Sequence, residues 1–144
     1  MILISHRGNL SGPIKERENS PIYIEGAMSA GFDVEIDVWF ISNQFYLGHD
    51  EPTYKIDEQF LVNPSFWCHA KNLNALTQML KNKNIHCFWH QADDVVLTSK
   101  NFLWTFPGKE IAEEGAIAVL PERIQNWNIT RACGICSDFI YQYQ

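Results

Sequence analysis

Apolar residues along the chain gather in short runs separated by polar turns rather than in long stripes. Eight runs have strand length: Ile2–Ser5, Val34–Phe40, Phe66–His69, His86–His90, Val95–Thr98, Phe102–Phe106, Ala116–Leu120 and Gly134–Ser137. Most are bounded by Gly, Pro, Asn, Asp or Ser, residues that favour turns over strand pairing. Helical spacing intervenes in places. Ser20-Pro21 supplies a cap followed by proline at the first helical position, and the segment runs to Ala30 with Gly31 as its stop. Leu73, Leu76, Met79 and Leu80 share one face of a predicted helix over 73–83, with lysines near its end. Segments 109–114 and 122–131 are shorter helical candidates.

Strands alternating with helices imply parallel pairing in an α/β fold. Eight strands suit a closed barrel, but such barrels usually need about 200 residues or more, and this chain has 144. The links at 91–94 and 99–101 are too short for crossover helices, which makes parallel pairing across them difficult. A barrel here therefore needs missing or shortened helices, and an open doubly wound sheet is the alternative on pattern alone. No repeat, low-complexity tract or linker divides the chain, so residues 1–144 read as one domain.

Composition narrows the function classes. The chain is 46% hydrophobic with a net charge of −6, and has no cluster of Lys or Arg. A duplex nucleic-acid binder needs a basic face, so that class is disfavoured. No apolar stretch reaches membrane-spanning length, and Met-Ile-Leu-Ile-Ser-His enters a strand at once without a secretory leader. The expected setting is cytoplasmic, where Cys68, Cys87, Cys133 and Cys136 stay as free thiols. Cys133-Gly-Ile-Cys136 has the spacing of a zinc or redox knuckle, but it has no second pair and reads as strand core.

The candidate chemistry lies mainly in the first third. His6-Arg7-Gly8 follows the first strand, at the carboxyl end where α/β ligand sites gather. Glu35-Ile36-Asp37 lies inside the second strand, and its period of two puts both carboxylates on one face. Two carboxylates in an apolar strand need positive charge nearby. A divalent cation or a salt-bridge network would each supply it. His49, after a polar turn at Asn43-Gln44, can return to the strand end that holds His6. Two imidazoles flanking a phosphate suit general base and general acid, since imidazole titrates near neutrality. On the third expected strand His69 and Lys71 share a face, as candidates for metal and phosphate binding. His90, Trp104, Glu122 and Asp138 fall near further strand ends and carry weaker signals.

In order and spacing, Ser5-His6-Arg7-Gly8, Glu18-Asn19-Ser20, Glu35-Ile36-Asp37-Val38 and Gly48-His49-Asp50 together resemble the glycerophosphodiester phosphodiesterase family. Gly134-Ile135-Cys136-Ser137-Asp138-Phe139 also looks like that family's last barrel strand. The resemblance is concentrated in residues 1–52. It implies a TIM-type (β/α) barrel, here reduced, that cleaves small phosphodiesters with a divalent metal. Mg²⁺ is the first expectation, with Ca²⁺ or Mn²⁺ as alternatives. By this resemblance His6 and His49 are the acid–base pair, Arg7 and Lys71 bind phosphate, and Glu35 and Asp37 hold the metal. Where the family usually shows Glu-x-Lys this chain has His69-Ala70-Lys71, so Lys71 carries over and the third metal ligand becomes His69 or is lost. Family members also carry a long insertion after the His-Asp pair. Here only 51–65 intervenes, which predicts an open mouth and weak selection of the alcohol groups. The missing helices predict a bare apolar flank covered by a homo-oligomer. Two further readings stand beside the enzyme: a phosphate-binding or regulatory barrel without turnover, and a structural oligomerisation module.

Overall fold

A computed structural model describes all residues, 1–144. The chain forms ten strands and three helices in the order β1 (Ile2–His6), α1 (Pro21–Ser29), β2 (Asp33–Ile41), β3 (Gln44–Leu47), β4 (Tyr54–Ile56), α2 (Glu58–Leu61), β5 (Phe66–Ala70), α3 (Leu73–Met79), β6 (Cys87–Trp89), β7 (Val95–Leu97), β8 (Leu103–Thr105), β9 (Ala116–Val119) and β10 (Gly134–Ser137). Short 3₁₀ turns follow at Pro121–Arg123 and Ile140–Tyr143.

Each of the eight apolar runs contains a strand. Seven of these strands pair in parallel, in the spatial order β8-β9-β10-β1-β2-β5-β6. Neighbours follow chain order, and the last strand returns to pair with the first. A doubly wound sheet reverses its order at a switch point, so that alternative does not describe this sheet. The sheet instead curls into a half-barrel whose ends approach each other. The Phe88 ring of β6 lies 4.6 Å from the Trp104 ring of β8, and Ser99 N donates to Cys87 O at 2.9 Å.

Two departures from pure parallel pairing follow from short links. The connection between β7 and β8 is too short for a crossover, and the two pair antiparallel. After β2 the chain reverses through Ser42 and Asn43, both at positive φ as a two-residue hairpin turn requires. It returns as β3 and then β4, each antiparallel to its predecessor. These two strands were not expected from the apolar runs.

Alternation divides the sheet into two faces. Val34, Ile36, Val38, Phe66, Cys68 and Ala70 point outward to pack on Ile24 and Ala27 of α1, Ala75 and Met79 of α3, and Phe45 and Leu47 of the hairpin. Each fully buried Val, Leu or Ile there contributes roughly 1.5–3 kcal/mol. Asn72 caps α3 through Ala75 N and also binds both backbone groups of Phe40, which ties that helix to β2. Ile4, Trp67, Phe88, Trp104, Ile117 and Val119 form the inner cluster.

The expected helices at 109–114 and 122–131 do not form. The outer face of β9 offers only Ala116 and Ala118, a shallow surface that irregular chain can cover with a few large side chains. Ile111, Trp127, Ile129 and Ala132 do so, and Trp127 Nε1 donates to Lys109 O at 2.7 Å. The flank expected to be bare is thus covered from within the chain at this point. No helix is long and apolar enough to cross a membrane.

Candidate active site at the carboxyl ends of the strands

Strand register assembles the site. The Cα partners are His6 with Glu35 across β1 and β2, and Asp37 with His69 across β2 and β5. Glu35, Asp37 and His69 therefore project inward side by side near the strands' carboxyl ends, and a ligand atom from each lies within 4.8 Å of the others. His69 Nδ1 is 3.2 Å from Asp37 Oδ1 and 3.7 Å from Glu35 Oε1. Both carboxylates are deeply buried, Glu35 at 2% exposure and Asp37 at 0%. Lys71 Nζ reaches Asp37 at 3.6 Å and Arg7 Nε reaches it at 2.9 Å.

Asp37 is held by Asn19, whose side chain donates to Oδ2 and accepts from the Asp37 backbone, both at 2.9 Å. Burial pushes the Asp37 pKa up, but His69, Arg7 and Lys71 outweigh it and hold the carboxyl well below its usual range. Burial likewise pulls His69 down, and hydrogen bonding and charge from Asp37 and Glu35 reverse this to leave it at about 9.

His6 is positioned by a residue at the far end of the chain. Its Nδ1 lies 2.6 Å from Asp138 Oδ1, which leaves Nε2 facing Glu35 Oε2 at 3.8 Å. Asp138 is fixed in turn by Asn9 Nδ2, by Arg123 and by its own backbone N–H donating to Glu122. Burial raises its pKa, but His6, Asn9 and Arg123 overcome that and set it at about 2. Asn9 also donates to Glu18, which pairs with Arg7 at 3.2 Å.

His49 arrives by a different route. Gly48 sits at φ +150, and a Cβ there would lie 2.0 Å from Glu51 O. Only glycine fits this turn. Gly48 N donates to Asp37 O, and Trp39 Nε1 donates to Gly48 O at 2.7 Å, anchoring the turn over β2. The His49 side chain is 40% exposed and its Nδ1 lies 2.7 Å from Asp50.

His6, Arg7, Glu35, His49, His69 and Lys71 thus line one cleft of about 400 Å³. Asp37, the seventh expected site residue, lies beneath its floor. Three residues at this end of the sheet hold left-handed backbone: Arg7 at φ 57, Asn19 at φ 62 and Leu120 at φ 48. Such strain gathers at functional sites. Asn9 and Arg123 had no sequence signal, and Asp138 only a weak one. Its partner His6 is 132 positions away, so no local pattern could join them.

Two features test the fit of a cation. Glu35 Oε2 is buried without a hydrogen-bond partner, which is costly unless something else meets it, while Asp37 Oδ1 already meets His69 at 3.2 Å and Lys71 at 3.6 Å. Two carboxylate oxygens and one imidazole nitrogen also form a donor set suited to a divalent ion, with the nitrogen shifting preference from Mg²⁺ toward Mn²⁺ or Zn²⁺. The residues fit. Together the fold and cleft define a curled α/β half-barrel with an acidic–imidazole cluster at the carboxyl ends of its strands. No family model, curated protein or solved structure matches the chain.

Proposed function

We propose that this protein is a metal-dependent phosphodiesterase of reduced TIM-barrel type acting on small phosphodiesters, glycerophosphodiesters first. One observation carries the reading: two buried carboxylates, Glu35 with an oxygen that has no hydrogen-bond partner, converge on His69 in a site that also holds two histidines and two cations. In this reading Arg7 and Lys71 hold the phosphate oxygens. With its Nδ1–H donated to Asp138, His6 presents a free Nε2 that takes the proton from the attacking hydroxyl. As the new P–O bond forms, the bond to the leaving oxygen breaks. His49, reachable from solvent, gives that oxygen its proton. A divalent ion held by Glu35, Asp37 and His69, with Mg²⁺ the first expectation, would neutralise charge on the phosphoryl oxygens.

The test is metal-dependent release of alcohol from glycerophosphocholine or a model diester. His6→Ala and His49→Ala should each lower kcat by about 10²–10⁴-fold, and retained activity in both variants would overturn the assignment. A second reading, a phosphate-binding barrel without turnover, is favoured by the pairing of Asp37 with Arg7, Lys71 and His69. That network neutralises the carboxylate before any metal arrives. Tight metal-dependent phosphate binding with no cleavage across a diester panel would select it. The homo-oligomer expected from the sequence has one candidate seam in the outer edge of β7, where Val95 and Leu97 are exposed.

A further inference from the structure

The cleft extends well beyond the residues used so far. On the side away from Glu35 its wall is Trp89, His90, Trp104, Phe106, Pro107 and Leu120. Its volume of about 400 Å³ lies in the small-ligand range of roughly 300–1,000 Å³, so it has room for more than a phosphate group. A second, polar cavity opens on the other side and shares Arg7, His49 and Arg123 with the first. Glu16, Glu18, Asp50, Glu51 and Lys15 line it, and only one of its eleven lining residues is hydrophobic. Arg7 and His49 thus stand between an aromatic space and a charged one. A diester carries two alcohol groups, one for each side.

His90 makes the aromatic side more than a greasy wall. Both of its ring nitrogens are buried, and neither has a hydrogen-bond partner. Its ring lies 5.3 Å from Phe106 and 6.2 Å from His69, and its carbonyl accepts from His69 Nε2 at 3.0 Å. The backbone of His90 is therefore pinned to the site, and the residue forms part of the cleft wall with both ring nitrogens unpaired just beneath its surface. A neutral imidazole offers one donor and one acceptor to a ligand's edge. Phe106 holds its ring 43% exposed at the rim. Leu120 adopts left-handed backbone, rare for a bulky residue, and lines the same wall.

The geometry points to a subsite for a ring-bearing alcohol, stacked against Phe106 at the aromatic rim and read along its polar edge by His90. This rests on the phosphodiesterase reading only for the phosphate to which the alcohol is joined. Glycerol has no flat face for the aromatic wall. An acyl chain would bury the two His90 nitrogens without partners. A sugar or a nucleoside meets both demands, having a stackable face and hydrogen-bonding groups at its edge. The aromatic wall thereby supplies a selectivity that the short 51–65 segment alone would not.

Calorimetric titration of the full chain with Mn²⁺ present tests this. The probes are inorganic phosphate, sn-glycerol 3-phosphate, glucose 1-phosphate and adenosine 5′-monophosphate. At least one ring-bearing ester should bind about tenfold tighter than glycerol 3-phosphate, the worth of one good hydrogen bond plus stacking. Which ester does so separates sugar from nucleoside. His90→Phe should erase that advantage while leaving the affinity for inorganic phosphate unchanged. Phe106→Ala, at a half-exposed position, should reduce it without disturbing the fold. Equal affinity for all three esters, or an advantage untouched by both variants, overturns the subsite and leaves the phosphodiesterase reading standing. If only the ring-bearing ester binds, and through His90, the subsite stands and that reading falls. If no probe binds, both fall.

Discussion

The inside of the curled sheet has two layers, separated by one repeat of the strand, and they obey opposite rules. On β1 the inward residue changes from Ile4 to His6, and on β5 from Trp67 to His69. The lower layer is packed with Ile4, Trp67, Trp104 and Ile117, whereas the upper carries Glu35, Asp37 and two imidazoles. Water is excluded from the floor of the charged layer by the aromatic one, and charges interact more strongly where water is absent. The comparison teaches that the lower layer is tuned for stability and the upper for unfinished interactions: one side chain missing below leaves a void, while Glu35 Oε2 above already lacks a hydrogen-bond partner.

The largest expected effect comes from breaking the lower layer. Trp67→Ala empties the centre of the aromatic cluster and frees the Asp33 carboxylate from its bond to Trp67 Nε1. It should cost about 3–5 kcal/mol by urea unfolding, and a loss below 1 kcal/mol would mean the layer is loosely packed. Next comes the one polar intruder near that layer. His86 packs at a tilt against Trp67 with ring centres 4.2 Å apart, and its Nε2 lies 2.8 Å from Thr98 Oγ1. Burial, helped by Lys100, lowers its pKa to about 4. The folded state thus keeps His86 neutral while the unfolded chain takes up a proton near the usual value of about 6.5. Stability from this group is fully present above 6.5, falls as pH drops toward 4, and levels off below. The loss is at most about 3 kcal/mol, and His86→Gln should flatten that part of a pH–stability curve.

The upper layer should respond in the opposite sense. Glu35→Gln removes a charge whose Oε2 has no partner, so stability should change by less than about 1 kcal/mol or rise. Metal affinity measured by calorimetry should nevertheless fall at least tenfold, about 1.4 kcal/mol. A large destabilisation would show that Glu35 serves the network of ion pairs rather than a cation. Smallest of all is Leu97→Lys at the β7 edge, expected to change stability by less than about 0.5 kcal/mol. Light scattering at micromolar concentration should show the wild-type chain above monomer mass and the variant as a monomer. A monomeric wild type would remove the proposed oligomer.

Legibility from sequence followed the same division. Strands buried on both faces announce themselves as continuous apolar runs, and every such run contains a strand. The hairpin β3–β4 buries only one face, carrying Phe45, Leu47 and Ile56, and alternates with polar residues, so it does not stand out as an apolar run. The segments 109–114 and 122–131 have helical composition, but their surroundings decided otherwise: the alanine face of β9 is better covered by Trp127 and Ile129 on irregular chain. At the site, Glu35, Asp37 and His69 were legible because alternation within a strand fixes which side chains share a face. The bonds from Asn9, Glu122 and Arg123 to Asp138 depend on where loops land, which spacing along a chain does not encode.

Pairing of β1 with β10 sets Ile2 opposite Gly134 and Ser5 opposite Ser137, so the two ends of the chain lie side by side. During synthesis, β1 waits with one edge unpaired until about 130 residues more have been made. The carboxylate that orients His6 arrives only with that last strand, so the pair of His6 and Asp138 stays unassembled in the nascent chain until the sheet closes. Joining the ends with a short linker and opening the chain at Ser42-Asn43 would make the β1–β10 contact local. Such a permuted chain should fold faster while keeping the same site.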